Sequence, residues 1–109
     1  MNVNKNGKII RSGIPTVKVL TGSPYTTIDN TGYNVLLVDC TSGVITVNLA
    51  TAINNSDCYV IKKTDSTTNS IDIHPNGTET IDGSATTIKI KIQYISLTLV
   101  SDGTNWFII

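Results

Sequence analysis

The sequence predicts an all-β fold: an antiparallel β-sandwich of jelly-roll type with about eight short strands. Three observations carry this. Apolar residues recur at every second position, as where Ile88, Ile90 and Ile92 alternate with Lys89, Lys91 and Gln93, and where Ile95, Leu97 and Leu99 alternate with Ser96 and Thr98. That is the period of a strand with one buried face, not of a helix. Short apolar runs are separated, at close and fairly even spacing, by clusters of Gly, Pro, Asn, Asp and Ser, the punctuation of a sandwich or barrel. Only Ala50 to Asp57 could make a helical turn, and it is too short and Asn-rich for more.

Along the chain, residues 1 to 13 are polar apart from Val3, Ile9 and Ile10 and read as a linker or neck that orders against a partner; residues 14 to 109 form a single domain. After Pro15, Thr16 to Leu20 alternate as a first strand, ended by Thr21-Gly22-Ser23-Pro24. Tyr25 to Ile28 forms a second, followed by a turn at Asp29-Asn30-Thr31-Gly32, where Asn and Gly tolerate left-handed φ. Val35 to Val38 is apolar at every position, the pattern of a strand covered on both faces, one by the opposite sheet and the other by a neighbouring subunit. Thr41-Ser42-Gly43 turns the chain into a strand from Val44 to Leu49, with Ile45, Val47 and Leu49 on one face.

Cys58 to Lys63 is a strand ending in two lysines, Thr64 to Ser70 a polar loop, and Ile71 to Ile73 a strand leading into the His74-Pro75-Asn76-Gly77 turn. Ile81-Asp82-Gly83-Ser84 turns again. The apolar phase then moves from even positions (Ile88 to Ile92) to odd ones (Ile95 to Leu99). A straight strand cannot do this without turning its core face to water, so a bulge or reversal sits at Gln93 and Tyr94. Ser101 to Asn105 is a turn, and Trp106 to Ile109 the last strand. The segments do not resemble one another, which ranks a parallel β-helix below the sandwich.

The chain has 109 residues, eight basic and eight acidic side chains and a formal net charge of zero. One domain of this size buries ~60–70% of its unfolded surface without staples. The charge balance leaves no footprint for nucleic acid, and no apolar run is long enough for a membrane helix. The N-terminal stretch lacks an apolar signal region, which implies cytosolic synthesis. Cys40 and Cys58 lie in apolar strand contexts and read as small core residues rather than a disulfide.

The residue types that carry chemistry are sparse. His74 is the one histidine, which excludes a His-pair metal site within one chain and reads as an exposed turn residue. Copies meeting on a threefold axis are the exception, since one His per chain could there hold a metal or anion. Asp72, Glu79 and Asp82 cluster in sequence without the opposed placement a glycosidase needs, and the calcium-loop pattern is missing. Lys89 and Lys91 protect an edge strand from sheet-to-sheet association. The expectation is a protein that is not an enzyme and takes no cofactor or metal.

The run IKK at 61 to 63, IDG at 81 to 83, and SLTLVSDGTNW at 96 to 106 followed by an aromatic and two isoleucines resemble a recurrent module of bacteriophage and other viral tail-fibre, spike and receptor-binding proteins. LLVDCTSGVITVNLA at 36 to 50 is similar to that module's strand, turn and strand, with Ala50 where the family usually has Pro. The resemblance covers about residues 25 to 109. It implies a head or tip domain in the virion, homotrimeric, attached to other virion proteins and binding a host-cell surface glycan or protein. Tyr33, Asn34 and Asn76, in polar turns, are the candidate ligand contacts. Leu36, Val38, Trp106 and Ile108 are the candidate trimer interface. Two rivals are a purely structural virion module, such as a spike base, capsid decoration or assembly hub, and a monomeric carbohydrate-binding module with an exposed aromatic platform.

Overall fold

The computed structural model describes residues 2–3, 9–10, 16–27, 35–55 and 58–109. β1 (Asn2–Val3) and β2 (Ile9–Ile10) pair as a short antiparallel ribbon. The other strands are β3 (Val17–Leu20), β4 (Tyr25–Thr26), β5 (Val35–Val38), β6 (Ile45–Asn48), β7 (Cys58–Lys63), β8 (Ile71–His74), β9 (Ile88–Ile90), β10 (Ser96–Ser101) and β11 (Trp106–Ile108). They form two sheets, one ordered β11-β10-β7-β5-β3 and the other β4-β6-β8-β9. The described residues contain no helix; Ile53 and Asn54 form a turn with Asn54 at φ 57°.

The all-β, two-sheet expectation holds, but pure antiparallel pairing does not. β3 pairs β5 and β5 pairs β7 in parallel, as do β4 with β6 and β6 with β8. From β3 to β8 the chain lays strands alternately in the two sheets, so it winds as three successive turns of a flattened coil. A parallel pair needs a crossover, and here the crossover is the strand of the opposite sheet. The last three strands reverse this pattern: β9 runs antiparallel to β8, β10 to β7 and β11 to β10. The turn between β9 and β10 carries the anticipated reversal, with Tyr94 at φ 68° and the Ile95 amide donating to the Ile92 carbonyl.

Period-2 patterning decides what lies between the sheets. Leu36 and Val38 of β5, Tyr59 and Ile61 of β7, Ile45 and Val47 of β6, and Ile71 and Ile73 of β8 are buried, while the residues between them are less so. Each such aliphatic side chain stabilises the fold by ~1.5–3 kcal/mol. Cys40 belongs to this core, but Cys58 does not: its thiol is exposed and both cysteines are free. The alternation of β7 puts Cys58 opposite to Tyr59.

The same alternation puts Lys63 inside, fully buried. Its ammonium donates to Asp65 Oδ2 at 2.6 Å and to the carbonyls of Asp65 and Thr67 at 3.1 and 2.9 Å, which uses all three protons. Asp65 Oδ1 accepts the Cys40 amide at 2.7 Å, and Oδ2 also accepts the Thr67 amide and hydroxyl. Burial works to raise the Asp65 pKa, but these donors together hold it well below the usual carboxylate range.

A group whose folded pKa is depressed adds stability above its unfolded pKa and loses it as pH falls. Lys63→Met is therefore expected to lose ~3–5 kcal/mol in urea denaturation, because it strands a buried carboxylate. The double variant Lys63→Met/Asp65→Asn leaves no stranded charge and keeps a carbonyl acceptor for the Cys40 amide, so it should lose less. It should also show a flatter fall in melting temperature than the wild type as pH drops below ~4.

Candidate interaction surface

The two sheets show unlike faces to the outside. On the four-stranded sheet one outward row is Thr46, Asp72 and Lys89, and the next includes Thr26, Asn48 and His74. Lys89 Nζ lies 2.8 Å from Asp72 Oδ2 across the β8–β9 pair. Burial opposes ionisation of Asp72, but hydrogen bonds from Lys89 and Ser70 outweigh it and lower the pKa. His74 Nδ1 is 2.9 Å from the Thr87 hydroxyl. The histidine expected in an exposed turn ends strand β8, half-buried and engaged. Lys89 does lie on an edge strand, since β9 ends the sheet.

The five-stranded sheet is the opposite. Its outward rows are Val17, Val35, Val60 and Thr98, then Val19, Leu37, Lys62 and Ser96, with Cys58, Val100 and Phe107 beside them. Val19 is 63% exposed and Phe107 39%. Among the described residues, no exposed large apolar side chain lies within β4, β6, β8 or β9; Val44, exposed, sits just before β6. At the rim of the apolar face, the β9–β10 turn exposes Ile92, Tyr94 and Ile95. Lys62 reaches that turn, donating to the Tyr94 carbonyl at 3.1 Å with its ammonium 5.8 Å from the Tyr94 ring centroid.

The IDG and SDGTNW stretches interlock on the opposite rim. Asp102 Oδ1 accepts the Thr104 and Asn105 amides, which lowers the Asp102 pKa, while Gly103 takes φ 95°, a conformation that favours glycine. Asn105 Oδ1 accepts the Thr80 amide at 3.0 Å. The Trp106 amide donates to the Thr80 carbonyl, the Asp82 amide to the Trp106 carbonyl, and the Ile108 amide to Asp82 Oδ1. Trp106 is fully buried, its ring 5.5 Å from that of Tyr59 and its Nε1 donating to the Ala50 carbonyl at 3.2 Å. Ser101 Oγ donates to the Ala52 carbonyl, and Glu79 accepts the Ala52 amide and the Thr51 hydroxyl. Acidic groups clustered in sequence near His74 are thus spent separately: Asp72 on Lys89, Glu79 on the Thr51 hydroxyl and the Ala52 amide, Asp82 on β11.

Of the anticipated contact residues, Asn76 is exposed in the turn after β8, and Tyr33 and Asn34 lie outside the described residues. Leu36, Val38 and Trp106 are fully buried within one chain, so they face the core and not a neighbour. The same strands turn Val35, Leu37 and Phe107 outward instead. Ile108 is half-buried and packs on the core. Sequence reasoning missed Lys63 and Asp65, the outward valines of β3, and Tyr94 as an exposed aromatic; strand alternation could have found Lys63 and the valines, whereas Asp65 lies in the loop after β7.

An open depression of about 190 Å³ lies between the β3–β4 and β5–β6 connections, lined by Thr21, Gly22, Ser23, Ser42, Gly43, Val44 and Ile45. No charged side chain lines it. Among the described residues, no three His, Cys, Asp or Glu side chains are grouped so as to hold a metal. No protein-family model matches the chain, and no curated protein does. Trp106→Ala is expected to cost ~3–5 kcal/mol in chemical denaturation, with loss of the tilted-ring near-ultraviolet signal; a loss below 1 kcal/mol would contradict the interlock.

Proposed function

We propose that this chain is a viral structural protein, the head or tip domain of a bacteriophage tail fibre or spike, which mediates host attachment as a homotrimer in the virion. The reading starts from the resemblance of the IKK, IDG and SDGTNW stretches to that module. The observation that carries it is how those residues are used: Lys63, Asp82, Asp102, Asn105 and Trp106 are consumed in closing the fold. A motif spent on holding the fold together supports the reading of a scaffold that presents surfaces. In this reading the chain is not an enzyme and needs no cofactor, nucleic acid or membrane insertion. Three weak sites on one axis, repeated over several fibres, gain strength through effective concentration.

A purely structural virion module is the second reading, and the apolar outer face of the five-stranded sheet favours it, because such faces are built for assembly. Fluorescently labelled protein, incubated with a panel of bacterial strains and read by flow cytometry, separates the two. Attachment predicts labelling of a subset of strains, weakened severalfold by Asn76→Ala. Labelling of none, together with tight binding to another virion protein, would overturn attachment in favour of assembly.

A further inference from the structure

We infer that the outer face of the five-stranded sheet is where a second copy of this chain docks. The inference rests on the homotrimer in the reading above and assigns its interface, replacing the inward residues expected from the sequence with outward ones. Val35, Leu37 and Val60 form the centre of the face, flanked by Val19, Val100 and Phe107. A solvated sheet face alternates to polar residues, as the four-stranded sheet does; here β3 and β5 stay apolar outward, and the polar residues of the two rows are Lys62, Ser96 and Thr98 towards β10.

Charge selects the occupant. Lys62 is the one charged side chain in the described rows, and its ammonium is drawn to the rim by the Tyr94 carbonyl and ring. The centre therefore gives an acidic or basic partner nothing to pair with. A second copy brings the same neutral surface, and with a formal net charge of zero the copies have no overall repulsion to overcome. The size also fits. Strands ~4.8 Å apart and ~16 Å long make a five-stranded face of roughly 400 Å² in flat footprint, so three faces turned to one axis bury about 1,200 Å² in all, the scale of a specific assembly. Three such faces turned to one axis hide all the outward valines at once.

The test is absolute mass by light scattering behind size exclusion at micromolar protein, for wild type, Val60→Lys and Thr46→Lys. Thr46 lies on the polar face and is the control. Expected are a three-chain mass for wild type and Thr46→Lys, and a single-chain mass with unchanged circular dichroism for Val60→Lys. Cys58, exposed on the same face within one chain, reports independently: its thiol should react severalfold faster in Val60→Lys than in wild type. If Val60→Lys loses its sheet signal, Val19→Lys, at an exposed edge position, replaces it under the same criteria. A three-chain mass that survives the lysine with Cys58 still protected overturns this face and leaves the homotrimer standing. A wild-type chain that stays single on concentration overturns both.

Discussion

Two opposite charges held without water govern this fold. Removing Lys63 and Asp65 from solvent costs several kcal/mol per ion, and the site is tolerable only because its shell is complete: three acceptors for the ammonium, and amides of Cys40 and Thr67 for the carboxylate. Those partners come from the end of β5, the end of β7 and the connection to β8. The Thr64 amide also donates to the Val38 carbonyl, and the Asn69 amide group to that of Cys40. The second and third turns of the coil are thereby fixed to each other at their rim, where loops would otherwise slide. The apolar core, which is non-directional, could not set that register alone.

The opposite rim is fixed by another arrangement with the same logic. There the coil has no further turn, and β9 to β11 close it by antiparallel pairing. The Trp106 ring fills the space beside Tyr59 while its indole nitrogen satisfies the Ala50 carbonyl. Asp82, at φ 50°, offers its carboxylate to β11. Between the rims lie one polar and one largely apolar outer face.

Strand placement was legible in the sequence because burial imposes period 2: the Cys58 to Lys63 strand is found as read, and the phase change at Gln93 and Tyr94 is a real reversal between sheets. Pairing direction was not legible. Lys18 faces Leu36, eighteen residues on, and Leu36 faces Ile61, twenty-five on, so the coil turns differ in length and leave no repeat in the sequence. Side-chain facing was legible but overruled by residue type. Two lysines at a strand end suggest solvent, yet alternation from Tyr59 and Ile61 sends Lys63 inward and Cys58 outward. In the same way Leu36 and Val38 suggested an interface, although their neighbours are the outward pair.

The central claim is that polar side-chain networks, and not the strands alone, hold the two rims. Amide hydrogen exchange followed by nuclear magnetic resonance tests it most directly. The account predicts that the Cys40 amide, which donates to the Asp65 carboxylate, and the Asp82 and Trp106 amides of the closing interlock exchange as slowly as the central amides of β5 and β7, through global unfolding only. Exchange of these three at the rate of exposed turn amides such as that of Asn76 would contradict it.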